Sequence, residues 1–107
     1  MGRKSNVEIV NQFRKNLLKK INIEKIILFG SRAEERKKYS RWSDFDIIIV
    51  SKDFEGVNFF ERAADLYKYW SVDYPIDFIC LTPGEFNKLK KGITVVSEAL
   101  KKGIDIR

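Results

Sequence analysis

The sequence contains no histidine, one cysteine and two prolines in 107 residues. Without histidine there is no Ser-His or Cys-His nucleophile pair and no His-based zinc site. A single cysteine, Cys80, cannot close an internal disulfide, which excludes an extracellular disulfide scaffold. It lies inside an apolar run and reads as an inert core residue. Any metal would have to be held by carboxylates, and would be a hard ion such as Mg²⁺ or Mn²⁺. The longest apolar runs are far too short to span a bilayer. The basic N-terminus leads into polar, helix-like sequence rather than an apolar signal core. The expectation is a cytoplasmic protein with no membrane segment.

Hydrophobic residues make up 44% of the chain and charged residues 34%, the balance of an ordinary globular protein rather than a disordered one. The length fits one domain, residues 1–107. The net charge of +6 favours an anionic ligand or partner. The basic residues are spread in short pairs (Lys19-Lys20, Lys37-Lys38, Lys90-Lys91, Lys101-Lys102). That spacing reads as a general solvated surface rather than one nucleic-acid-binding stripe.

No repeat, low-complexity tract or linker interrupts the chain. Ser5 with Glu8 three residues on predicts a capping box. Val10, Phe13, Leu17 and Ile21 follow at helical spacing, with Asn22 as the stop. Lys25–Phe29 is a short apolar run ending at Gly30 and predicts a strand. A short helix near Arg32–Lys37 and a turn follow. Asp44–Val50 predicts a second strand, apolar throughout after its two acids and so buried on both faces. Asn58–Val72 predicts a helix with Phe59, Ala63, Leu66 and Trp70 as its inner stripe. Pro75–Leu81 predicts a third strand. Thr82-Pro83-Gly84-Glu85 opens a further helix, with Thr as cap, Pro in the first position and Glu closing the box. A last helix near Thr94–Lys102 stops at Gly103, and Ile104–Ile106 adds a short strand. The order α-β-α-β-α-β-α-α predicts an α/β (α+β) fold, a small mixed sheet with helices packed on it.

Three acids stand on predicted strands. Asp44 and Asp46 are two apart, so on a strand they point to one face with Cα atoms roughly 6.5 Å apart. Paired catalytic metals lie about 3.5–4 Å apart, so two such carboxylates can share one or two Mg²⁺ ions. Asp77 interrupts the third strand between Ile76 and Phe78, where a buried carboxylate would cost several kcal/mol (~3–5) unless paired or metal-bound. Each acid alone has an ordinary reading. Asp-x-Asp is common at turns and strand ends, and a lone strand Asp is often a partner for a lysine. Gly30-Ser31 directly follows a strand. A glycine there lets the backbone approach a ligand, and N–H groups at a helix start with a Ser hydroxyl form an anion site. Taken alone, it also reads as a plain strand-to-helix turn with a Ser cap. It is not a P-loop, because the Gly-x-x-x-x-Gly-Lys spacing is missing.

Together, Phe29-Gly30-Ser31-Arg32-Ala33, Ser43-Asp44-Phe45-Asp46-Ile47 and Pro75-Ile76-Asp77-Phe78 resemble the signature of the minimal nucleotidyltransferases of the DNA polymerase beta superfamily. That pattern is Gly-Ser, a spacer, Asp-x-Asp and a third Asp on a later strand. The resemblance runs from Phe13 to about Ile106. One departure is the spacer: twelve residues separate Ser31 from Asp44, more than is usual in the family. Lys37–Trp42 should lengthen the loop beside the site. The resemblance implies a nucleotidyltransferase-like fold and transfer of a nucleoside monophosphate, AMP from ATP being expected, to a hydroxyl acceptor. It implies that Gly30 and Ser31 hold the β- and γ-phosphates. Asp44 and Asp46 would ligate Mg²⁺ (or Mn²⁺), and Asp77 would hold a second metal and help deprotonate the acceptor. Arg32 and Arg36 could add phosphate contacts, with a solvated helix face as their other reading. Stand-alone domains of this family resemble antitoxins paired with a HEPN-domain ribonuclease toxin, and in some systems AMP passes to a tyrosine of the toxin.

Three functions therefore compete. The first is an adenylyltransferase-type enzyme, which the intact acid triad favours. The second is an antitoxin that neutralises a HEPN partner by contact, which exposed aromatics among Phe59, Phe60, Tyr67, Tyr69 and Trp70 would favour. The third is a basic nucleic-acid-binding domain, whose salt-sensitive binding would need neither Mg²⁺ nor the acids.

Overall fold

A computed structural model of the chain describes residues 4–34 and 43–107. The chain runs α1 (Asn6–Leu18), β1 (Lys25–Phe29), a 3₁₀ turn (Ser31–Ala33), β2 (Phe45–Val50), a 3₁₀ turn (Lys52–Phe54) and α2 (Phe59–Ala64). A third 3₁₀ turn (Tyr67–Tyr69), β3 (Ile76–Leu81), α3 (Pro83–Leu89), α4 (Val95–Lys102) and β4 (Ile104–Asp105) complete it. The four strands form one sheet in the order β3-β2-β1-β4. β1 pairs antiparallel with β2 and with β4, whereas β2 and β3 are parallel. This is the expected small mixed sheet.

β2 lies between two neighbours and is apolar on both faces, and Ile47, Ile48 and Ile49 are all fully buried. Strand alternation sends Phe45, Ile47 and Ile49 to one core with α1, and Ile48 and Val50 to a second core with Phe86, Val96 and Ala99. By the same alternation Asp46 and Asp77 belong to the second face. The helices α3 and α4 close that face over Val50 and Leu81 and leave its other end, where the acids stand, uncovered by the core.

The helix caps follow the sequence closely. Ser5 accepts from the Glu8 N–H at 3.1 Å, which is one half of the expected box. Thr82 and Glu85 form a reciprocal capping box with Pro83 in the first turn. Thr94 caps α4 together with Ser97. α4 ends at Gly103, whose φ of −84° any residue can adopt. The reason for glycine is space: a Cβ there would collide with the Ala99 carbonyl and stand 2.8 Å from that of Leu28. The C-terminal end of α4 is thereby seated against the end of β1.

Three expectations need correction. α1 stops at Leu18, before Ile21 and Asn22. The Asn22 N–H is instead taken up by Asp53 at 2.8 Å. The predicted helix Asn58–Val72 is two pieces. After Ala64 the backbone bonds shorten to i→i−3 (Leu66 to Ala63, Tyr69 to Leu66, Trp70 to Tyr67). A 3₁₀ turn advances about 120° per residue rather than 100°, which breaks the phase of the stripe. Phe59 consequently faces solvent at 45% exposure while Leu66 is buried, and Arg62 turns inward. Its guanidinium bonds the Val57 and Cys80 carbonyls and pairs with Glu85 at 2.6 Å. Finally, Asp77 is exposed on the edge strand, so the expected cost of burying it does not arise.

Candidate active site

Register brings the site together. Asp46 on β2 pairs with Phe29 on antiparallel β1 and with Asp77 on parallel β3. Gly30, Asp46 and Asp77 thus form a row across three adjacent strand ends. Neighbouring strands lie about 4.8 Å apart, so the row is compact. Asp44, exposed, stands just before β2.

Gly30 has φ 75° and ψ −159°, a conformation open essentially to glycine alone. Its missing side chain makes room for Asp46: a Cβ there would stand 2.5 Å from the Asp46 Oδ2. The turn that follows is closed by the Ala33 N–H to the Gly30 carbonyl at 3.1 Å. Ser31 opens this turn beside the acids.

The carboxyl of Asp46 is held above its ordinary range, first by burial, then by the charge of Asp77, then by that of Asp44. Among the described residues none of the three aspartates has an ion-pair partner. Nor, among those residues, does any group of three acidic or thiol side chains make a ready-made metal cage. The aspartates form an open row instead. Hard oxygen donors with positions left over suit Mg²⁺, which keeps several waters or phosphate oxygens in its shell.

Arg32 is placed beneath the site, not on it. It is buried, donating from Nε to the Ser43 carbonyl at 3.1 Å and from NH1 to Asn6 Oδ1 at 3.3 Å. Its guanidinium stacks 4.5 Å from the Phe45 ring centre and 4.7 Å from that of Tyr74. The expected phosphate contact is therefore replaced by a grip on the residue preceding Asp44. Asn6 and Tyr74, which complete that grip, carry no signal in the linear sequence. Arg36, the short helix expected near Arg32–Lys37 and the lengthened loop Lys37–Trp42 fall wholly or partly outside the described residues.

A groove of about 420 Å³ opens beside Gly30 and Ser31. One wall is Phe29–Ser31 and Glu34, and the other is a face of α4 with Val95, Glu98 and Lys102. The aspartates do not line it. Among the described residues it meets the acidic row at Gly30, so the chemistry is assigned to the row and the groove is an annex to it. Cys80 is buried in the core, its thiol pushed up to about 12 by burial against a lesser opposing effect of Arg62. Its burial fits the core position expected of it.

The comparisons with known proteins bear on the fold and the family. Residues 10–106 match the family model of the nucleotidyltransferase domain. The chain belongs to that family. A crystal structure of a candidate nucleotidyltransferase from Sulfolobus solfataricus superposes with a TM-score of 0.62 at 24% identity, over 92% of this chain and 77% of that one. BolA1 from Arabidopsis thaliana superposes with a TM-score of 0.54 at 20% identity, over 72% of this chain and 94% of that one. Both are likenesses of fold, and a fold does not name a function. Among curated proteins none matches the chain. Nucleotidyltransferase domains use nucleoside triphosphates and divalent metals in general, so the family makes this chain a transferase of nucleoside monophosphates. No helix among the described residues is long and apolar enough to cross a membrane.

Proposed function

We propose that the chain is a Mg²⁺-dependent nucleotidyltransferase that moves AMP from ATP to a hydroxyl acceptor. The observation that carries this reading is the row of Gly30, Asp46 and Asp77 across three strand ends, where the negative charges of Asp44, Asp46 and Asp77 cluster. Asp44, Asp46 and Asp77 would hold the metal, whose chemistry is to neutralise charge at the attacking and leaving oxygens. Gly30 brings its backbone against the phosphates, and the Ser31 hydroxyl and the N–H groups of its turn bind their oxygens. Asp77, exposed at the sheet edge, is open to the acceptor and takes the proton of its hydroxyl. Arg32 acts from below, holding the chain at Ser43 so that Asp44 and Asp46 enter the site together. Arg36 stays in this proposal as a phosphate contact.

The acceptor named by the family resemblance is a tyrosine of a HEPN-domain toxin, with this chain as cytoplasmic antitoxin. One observation favours a partner protein: Phe60 is 81% exposed with the Phe59 ring against it, and Tyr67 is also exposed. The same patch supports the second reading, neutralisation by contact without turnover. ATP labelled at the α-phosphate, incubated with Mg²⁺, this protein and the candidate toxin, separates the two. Label on the partner that is lost in the Asp44→Asn/Asp46→Asn double variant establishes transfer. A stable complex that carries no label and forms equally with the variant would leave contact as the function.

A further inference from the structure

The groove beside Ser31 contains a charge the site needs. Lys102 supplies the positive charge among its described lining residues, against Glu34 and Glu98. Positions 95, 98 and 102 recur at helical spacing, so Lys102 lies on the face of α4 turned to Ser31. The end of α4 is held there by the next residue, Gly103, packed against the carbonyl of Leu28, two residues before Gly30. The Lys102 ammonium is only loosely engaged. It stands 3.8 Å from Glu98, with the two side chains 72% and 53% exposed. Pairs this exposed are worth little, so the ammonium can turn to a stronger anion at small cost. Arg32, by contrast, is buried under the site with its guanidinium bonded to Asn6 and Ser43.

We propose that Lys102 is a phosphate-binding residue that takes the far end of the triphosphate in the groove beside Gly30 and Ser31, which the aspartates do not line. This rests on the nucleotidyltransferase reading, in which Gly30 and Ser31 hold the β- and γ-phosphates. In the transfer, the acceptor oxygen forms a bond to the α-phosphorus as the bond from that phosphorus to the bridging oxygen breaks. The electron pair leaves with pyrophosphate, and the acceptor proton passes to Asp77. Negative charge grows on the leaving pyrophosphate, where an ammonium drawn to it offsets the charge. Glu98 releases Lys102 and turns to solvent. The other charged groups among the groove's described lining residues, Glu34 and Glu98, are acidic.

The test is binding of the magnesium complex of adenosine α,β-methylene triphosphate, measured by calorimetry across a salt series. Lys102→Ala should weaken it about tenfold, as expected for one charged hydrogen bond, and flatten its salt dependence. Lys102→Arg should restore most of both. Lys101→Ala, which removes an equal charge outside the groove, should bind as wild type does. Wild-type affinity in Lys102→Ala, or an equal loss in Lys101→Ala, would overturn the assignment while leaving the nucleotidyltransferase reading intact. A folded wild-type protein that does not bind the complex would overturn both.

Discussion

The absent side chain of Gly30 is the space that the Asp46 carboxylate occupies: a Cβ would stand 2.5 Å from its Oδ2. The backbone at Gly30 is also in a glycine-only conformation. Gly30→Ala therefore strains the turn and displaces the acid. It should cost roughly 1–3 kcal/mol of stability by urea titration. It should also abolish detectable binding of magnesium–nucleotide. A variant that kept full binding would show that the two residues do not share a site.

The acidic row predicts a trade of stability against function. Asp46 is held above the ordinary carboxylate range by burial and by its two acidic neighbours, so its ionised form is disfavoured in the folded protein. Asp46→Asn should fold at least as stably as wild type in the absence of metal. Wild type should be stabilised by magnesium–nucleotide, and the variant should not. Thermal unfolding with and without the ligand reads both. A variant destabilised without metal would mean that the carboxylate is structural.

Arg32 should behave as a structural clamp. Arg32→Ala leaves the Ser43 carbonyl and Asn6 without their buried donor and opens a space between Phe45 and Tyr74. A loss of about 2–4 kcal/mol is expected. Arg32→Lys should recover little of it, because an ammonium cannot reproduce the planar stacking and the two bonds. Chemical denaturation of the three proteins checks this. Unchanged stability with weakened nucleotide binding would return Arg32 to the role of phosphate contact.

A pH dependence follows from Arg62 and Glu85. The hydrogen bond from Arg62 holds the Glu85 carboxyl below its ordinary value, with the backbone bond from Thr82 adding to it. The folded value is the lower one, so the pair's stabilisation is complete above the ordinary glutamate value of about 4.3. It is lost as pH falls from there through the lowered folded value. Glu85→Gln should lower the unfolding midpoint near neutral pH, and the difference from wild type should shrink in that acid window. Because Glu85 is partly exposed, the shift should be modest.

Much of this protein is readable along the chain because its signals are local. The strands are short apolar runs, and the caps at Ser5, Thr82 and Thr94 are set by residues three apart. Gly30-Ser31 with Asp44, Asp46 and Asp77 is a pattern of residue types whose chemistry needs no coordinates to suggest. What the linear sequence could not show depends on phase and register. The segment after Ala64 tightens into 3₁₀ geometry because tertiary packing of Leu66 and Trp70 outweighs helical periodicity, and this sends Phe59 outward and Arg62 inward. Whether Asp77 is buried or exposed depends on β3 lying at the edge of the sheet, which its own residues do not state. Asp46 meets both Phe29 and Asp77 only because β2 pairs antiparallel on one side and parallel on the other. Arg32 looks the same in sequence whether it faces a phosphate or lies under a strand. Its burial is decided by Asn6, Ser43, Phe45 and Tyr74, which come together only once the chain has folded. The sequence determined the family this protein belongs to and the residue types it has for chemistry. The tertiary structure decided which of its charges face the site, because contact between distant residues is a property of packing and not of order along the chain.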